Sequence, residues 1–131
     1  MAPLNRTAGY PYRQIEDAIR KIMAEHVGVM RTADGIRAGL QKLDMLARHI
    51  DEMKADTLHE LMRSHETRSL LQVGRMMGKA ALFRTESRNK PYHHRLDFPE
   101  TDDQGWCGLV VLEMKGEDVA SSFEPISYGS V

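Results

Sequence analysis

The chain has 131 residues, 41% of them hydrophobic, with 18 Lys and Arg against 19 Asp and Glu and a single cysteine, which suits one soluble domain able to bury a core without disulfides or a metal. No run nears the ~20 apolar residues of a membrane span, the N-terminus lacks the order of a signal peptide, and Cys107 alone excludes an internal disulfide, so a reducing, cytoplasmic setting is expected. A net charge of −1 argues against a nucleic-acid surface, yet it hides +6 over 63–95 and −7 over 96–131.

Folding of the acidic tail over the basic segment accounts for that polarity; docking of either face on another protein is the sharper reading. Residues 1–10 show no period and read as a lead-in or linker. Pro11 suits a first helical position, and Ile15, Ile19, Ile22, Met23 and His26 recur at helical spacing, which predicts a helix over 11–27. After the break at Gly28, Thr32 is an N-cap with Asp34 in the first turn. Ile36, Leu40, Leu43, Ala47 and Ile50 then form a bundle seam, with Lys42, Asp44, Arg48 and Asp51 outside. Asp56 or Thr57 caps a third stretch containing Leu58, Leu61 and Met62, with a break admitted near Ser64 to Thr67.

Leu70, Val73, Gly74, Met77, Ala80, Ala81 and Arg84 follow one face of a strong helical run. Gly74 and Gly78 form a small-xxx-small pair that favours close helix packing. The nine methionines read as core filling. From Asn89 onward Pro, Asp and Gly dictate an extended path. Leu109–Met114 and Val119–Phe123 flank Lys115–Asp118, a β-hairpin with a four-residue loop. The expected fold is therefore mainly α: a three-helix bundle over 11–88, then an extended tail with a hairpin over 89–131.

The chain contains no G-x-G-x-x-G, no G-x-x-x-x-G-K-[ST] and no G-x-S-x-G, so no nucleotide-binding loop or nucleophile elbow is visible. His59-Glu60 is followed by His65 rather than by a histidine four residues on, which puts the pair on different helical faces. His93 and His94 point oppositely in an extended segment, so a structural histidine is favoured over a metal site with Asp97. Cys107 beside Trp106 has no local base and reads as a small apolar side chain. What remains is a polar constellation: Arg84, Glu86, Ser87, Arg88, His93, Arg95, Asp97, Asp102, Asp103 and Trp106. Arg84, Arg88 and Arg95 suit bidentate pairs with Glu86 and Asp97. A structural ion-pair knot is favoured over catalysis, because catalysis needs convergent groups in a pocket with a cofactor or nucleophile, and the sequence shows neither. No catalytic, cofactor-binding or metal residue is assigned.

The run from Ala80 to Arg88, then His93-His94-Arg95-Leu96-Asp97-Phe98-Pro99 and Asp102-Asp103 to Trp106, resembles the signature that closes the succinate dehydrogenase/fumarate reductase flavoproteins. L-aspartate oxidase and the adenylylsulfate reductase α-subunit carry variants. Upstream, Ile22-Met23 and Val27-Gly28-Val29-Met30-Arg31-Thr32 to Gly35-Ile36 resemble a second segment of that family. The resemblance implies a C-terminal helical domain, a spectrin-repeat-like three-helix bundle with an extended tail, lying against FAD-binding and capping domains. Those domains would hold the FAD and exchange hydride between flavin and a dicarboxylate. This chain would bind no cofactor and be inactive alone, with an iron-sulfur subunit as a further partner and a location peripheral to a membrane complex admitted. Carried over by position, Glu86, Ser87, Arg88, His93, Arg95 and Asp97 would pin the last helix and tail, with Arg88 or His93 reaching toward the flavin-side interface. Asn89-Lys90-Pro91 stands where the family pattern has a single Gly, so the path to His93 must differ. The alternatives are a free-standing, homodimeric interaction module, or the equivalent domain of an L-aspartate oxidase or adenylylsulfate reductase.

Overall fold

Each segment with helical apolar spacing becomes a helix, and the connections between them are closed by two-residue strand pairs. The computed structural model describes residues 8–127; part of the expected lead-in and the last four residues of the expected tail lie outside the described residues. In chain order the elements are β1 (Tyr10–Pro11), α1 (Tyr12–His26), β2 (Met30–Arg31), α2 (Ala33–Ala47), a 3₁₀ turn (Ile50–Glu52), β3 (Met53–Lys54), α3 (Leu58–Phe83), β4 (His94–Arg95), α4 (Asp103–Trp106), β5 (Gly108–Lys115) and β6 (Asp118–Pro125). The chain is mainly α, as expected. Thr32 and Thr57 cap α2 and α3, their hydroxyls accepting the N–H of Gly35 and Glu60.

The three long helices pack around Ile15, Ile19, Leu43, Met53 and Leu71, all at most 5% exposed, and a second cluster of Val27, Ile36 and Ala81 sits toward the C-terminal end of α3. Ile50 belongs to this core, but from the 3₁₀ turn rather than from α2. The break admitted in the third helix does not occur: α3 runs for 26 residues. Ser64 and Thr67 are buried inside it because their hydroxyls donate to the carbonyls of Glu60 and Arg63, at 2.9 and 2.8 Å.

The buried stripe of α3 is Ser64, Thr67, Leu71, Gly74, Gly78 and Ala81, one position off the most hydrophobic residues. Val73 and Met77 are 50% and 51% exposed on the neighbouring face. Small residues face the bundle because α1 and α2 crowd that side. A Cβ on Gly74 would lie 3.2 Å from Met23 Sδ, and one on Gly78 would lie 2.8 Å from Leu40 Cδ2. The methionines depart from core filling for the same reason. Met53 is fully buried, but Met30, Met45, Met62, Met77 and Met114 are exposed, since isoleucine, leucine and glycine already fill the seams.

β5 and β6 form the hairpin, pairing antiparallel from Gly108↔Pro125 to Lys115↔Asp118. Its loop is thus two residues rather than four: Lys115 and Asp118 form the last rung. Gly116 takes the left-handed φ of +67° that such a tight turn needs at its first central position. The hairpin lies against α3. Phe83, Trp106 and Phe123 hold it there through edge-to-face contacts, with centroids 5.6 and 5.2 Å apart.

Two further pairings fix the connections. β1 runs parallel to β3, and β2 runs parallel to β4. The second joins the two sequence blocks of the family resemblance, since Met30-Arg31 lies beside His94-Arg95 and Leu96 N–H donates to Arg31 O at 2.7 Å.

A polar knot at the end of helix α3

An α-helix leaves its last four carbonyls without intrahelical donors. At the end of α3 those of Ala81 and Leu82, with that of Arg84 just beyond, are met by one side chain: Arg95 Nη1 reaches them at 2.8, 3.2 and 3.2 Å. Arg95 is 1% exposed. Its other edge makes a bidentate pair with Asp97, Nε to Oδ1 at 2.8 Å and Nη2 to Oδ2 at 2.7 Å. Asp97 in turn accepts the first N–H of α2, from Ala33, at 3.0 Å. One ion pair therefore sets a cation at the negative end of α3 and an anion at the positive end of α2. Arg95 with the Ala33 N–H, against a smaller opposing push from burial, holds the Asp97 carboxyl well below the usual carboxylate range.

Glu86 is fully buried and serves two arginines. Arg88 grips it through Nε at 2.7 Å and Nη2 at 3.0 Å, Arg84 Nη1 donates to Oε1, and the Asp102 N–H donates to Oε2 at 2.8 Å. Burial pushes Glu86 up, but Arg88, the Asp102 N–H and Arg84 together outweigh it and hold the carboxyl below its ordinary value. Arg84 also donates to the carbonyls of Trp106 and Gly108, at 3.0 and 2.7 Å, and lies over the Trp106 ring. Arg88 makes a further pair with Asp103 at 3.0 Å. The Asp102 carboxylate caps α4 by accepting the Gly105 N–H at 2.9 Å.

Ser87, also fully buried, accepts the Arg95 N–H at 2.9 Å, and its hydroxyl lies 2.7 Å from Phe98 O. The insertion at Asn89-Lys90-Pro91 is absorbed as a tight turn: Tyr92 N–H donates to Asn89 O, and Arg88 N–H donates to His93 O at 2.9 Å. Asn89, with φ +48°, stands where the family pattern has glycine, and asparagine tolerates that left-handed backbone.

All ten residues singled out from the sequence therefore meet at one junction through direct polar contacts, with the His93 side chain at its edge. His93 Nδ1 lies 2.9 Å from Arg31 Nη1. An arginine only donates, so Nδ1 accepts and the proton sits on Nε2. Among the described residues that Nε2 is buried without a hydrogen-bond partner. Burial, then the nearby Arg31, push the His93 pKa down, with the Arg84 carbonyl opposing.

Arg31 is the site residue the sequence reading missed. It lies 62 positions from its partner, and the only signal was its place in the upstream family segment. Beside it opens a pocket of about 380 Å³, lined by Val27, Met77, Ala80 and Val110 and by Arg31, Arg84, Arg88, Tyr92 and His93. Among the described residues no acidic one lines it. Burial and the neighbouring Arg95 lower the Arg31 pKa.

A flavin dinucleotide's pyrophosphate is held by free N–H groups where a strand turns through glycines into a helix. No such turn occurs among the described residues: N–H groups at the start of α2 are engaged by Thr32 and Asp97, that of Glu60 in α3 by Thr57, and α1, which has no side-chain cap, follows β1 directly with no glycine between them. Nor do three His, Cys, Asp or Glu side chains converge as a metal site among the described residues.

The model of the fumarate reductase flavoprotein C-terminal family matches residues 16–131. An uncharacterised FAD-dependent oxidoreductase of Methanocaldococcus jannaschii is 36% identical over 104 residues, 79% of this chain and 19% of that protein. A fumarate reductase flavoprotein subunit of Helicobacter pylori is 32% identical over 103 residues, 75% of this chain and 14% of that protein. The chain thus spans less than a fifth of either relative. Among solved structures, adenylylsulfate reductase of Archaeoglobus fulgidus superposes with a TM-score of 0.89 at 24% identity, over 94% of this chain and 20% of that one, which is a likeness of fold. By the extent of the match and the identity of these relatives, this chain belongs to the C-terminal domain family of the succinate dehydrogenase/fumarate reductase flavoproteins.

Proposed function

We propose that the chain is the docking domain of an FAD-dependent oxidoreductase, bracing the flavin-binding and capping portions and contributing no catalytic group of its own. The observation that carries this reading is the family match over 16–131 by a chain that spans 14% to 19% of its relatives. The polar knot supports it. Glu86, Arg95 and Asp97 spend their hydrogen bonds inside the junction, on each other and on helix ends, as groups that hold a shape do. In this reading the bundle over 11–88 is the brace and the segment over 89–131 is strapped to it by the knot. The parent enzyme carries the FAD and exchanges hydride with a dicarboxylate, and an iron-sulfur subunit and a cytoplasmic, membrane-peripheral setting belong to the same proposal. No helix among the described residues is long and apolar enough to cross a membrane.

The test is assembly in trans. The Methanocaldococcus jannaschii oxidoreductase, shortened by the segment that matches this chain, is mixed with the chain and followed by light scattering and flavin absorbance. The expected result is a one-to-one complex in which flavin stays on the larger partner, and a chain that shows no flavin spectrum and no turnover alone. Stoichiometric FAD on the isolated chain, or no complex at all, overturns the reading.

A further inference from the structure

Among the described residues the pocket beside the knot is lined by three arginines and no acid. Arg84 and Arg88 spend their donors on Glu86, Asp103 and backbone carbonyls, so they supply field rather than free hydrogen bonds. Arg31 differs. Its Nε donates to Gly28 O at 2.8 Å and its Nη1 to His93 at 2.9 Å, and the guanidinium has no carboxylate within ion-pair distance among the described residues. A part-buried guanidinium without a counter-ion is costly, and its planar fork matches the geometry of a carboxylate, the anionic group that unmodified side chains carry.

Between the arginines the lining is Val27, Met77, Ala80, Ala81 and Val110, and the lining residues Met77 and Tyr92 stand 51% and 81% exposed. Tyrosine, methionine and arginine are the residue types that protein interfaces gather at their centres. Most of the length of each relative lies outside the segment matched here, which leaves ample polypeptide to cover this face.

We infer that the pocket is the seat of an acidic side chain carried on an apolar stretch of the flavin-binding part of the flavoprotein, its carboxylate against Arg31 and its stem along Val27, Met77 and Ala80. This rests on the docking role proposed above and names the surface through which it acts. His93, held by the same Arg31, is a positioning residue that fixes the fork.

The seat is tested first on the chain alone by NMR of arginine Nε–H and His93 ring signals, with benzoate as an apolar carboxylate probe and benzamide as its neutral twin. Benzoate is expected to shift the Arg31 and His93 signals saturably and to bind at least about tenfold tighter than benzamide, since the carboxylate charge is what the fork recognises. Arg31→Met is expected to abolish the preference. Equal binding of the two probes, or a preference that survives Arg31→Met, overturns the assignment. The wild-type contrast decides the matter even where the variant fails to fold. The shortened Methanocaldococcus jannaschii oxidoreductase is then added to the benzoate-loaded chain. Displacement of benzoate on complex formation places the occupant on the partner. A complex that leaves benzoate bound overturns the seat and spares the docking role, whereas no complex removes both.

Discussion

Between α1, α2 and α3 the buried surfaces are apolar and close-fitting, set by Ile19, Leu43 and Leu71 and by glycines that let the helices approach. From Arg84 to Trp106 the buried groups are instead Glu86, Ser87 and Arg95, none more than 1% exposed. The two regions fail differently. Shortening an apolar side chain in the bundle removes a methylene and opens part of a cavity, at ~1 kcal/mol for an isoleucine cut back to valine. A member removed from the knot leaves buried or half-buried charges and carbonyls short of a partner. The junction is therefore the more brittle part, although it contains less hydrophobic surface.

Glu86→Gln strikes that difference hardest. Two guanidinium groups lose their shared counter-ion in a buried place, and unpairing a buried ion costs about 3–5 kcal/mol. Urea unfolding is expected to show a loss of that size, while the helices of the bundle keep their circular dichroism below the transition. The wild-type protein carries a matching acid signature. Glu86 and Asp97 are both held below their ordinary values, so the unfolded chain binds more protons than the folded one in that range. Their contribution is complete above the ordinary carboxyl range, about pH 4.5, and is lost as pH falls through the lowered values. Glu86→Gln is expected to flatten the Glu86 share of that slope; an unchanged acid limb would mean the knot does not carry it.

The bundle is better probed at a glycine. Gly39 of α2 is buried against α1, and a Cβ there would come within 2.5 Å of His26 Cβ, an atom fixed to its own backbone. Gly39→Ala must push the two helices apart and is expected to cost about 1–3 kcal/mol. At Gly78 the nearest atom is the tip of Leu40, which can rotate, so Gly78→Ala is expected to cost less than about 1 kcal/mol. Comparable losses by thermal unfolding at both positions would show that the α1–α2 crossing is looser than this geometry.

Where sequence reasoning succeeded and failed follows the same division. The helices, their threonine caps and the hairpin were legible because each depends on side chains near in the chain. On α3 the close packing at Gly74 and Gly78 was legible as a small-residue pair, but hydrophobicity also put Val73 and Met77 on the buried face, where crowding between helices leaves them half exposed. The break admitted at Ser64 to Thr67 does not form because a hydroxyl can satisfy itself on the carbonyl one turn back. In the knot, the pairing of Arg88 with Glu86 and of Arg95 with Asp97 was legible from charge and spacing. The reach of Arg95 to the Ala81 carbonyl and of Asp97 to the Ala33 N–H was not, because their partners are backbone atoms that every residue possesses. The acidic tail was only half explained. Asp97 and Asp103 pair with arginines, while Glu113, Glu117 and Glu124 of the hairpin make no ion pair among the described residues.

The smallest of these effects isolates helix formation from both kinds of core. Thr57 Oγ1 accepts the Glu60 N–H at 3.1 Å, and the Glu60 carboxylate reaches back to the Asp56 N–H at 2.7 Å, a variant of the reciprocal capping box. Leu58 and Met62, in the turns this cap begins, are exposed, so Thr57→Ala removes a cap without opening a cavity or unpairing an ion. The expected cost is about 1 kcal/mol, read as a lower urea midpoint with an unchanged slope, because the surface exposed on unfolding stays the same. A loss near that of Glu86→Gln would mean that the start of α3 is coupled to the knot at its far end, some 26 residues away along one unbroken helix. A loss near 1 kcal/mol, the ordinary worth of such a cap, keeps the two ends independent and leaves the brittleness where Glu86 and Arg95 are buried.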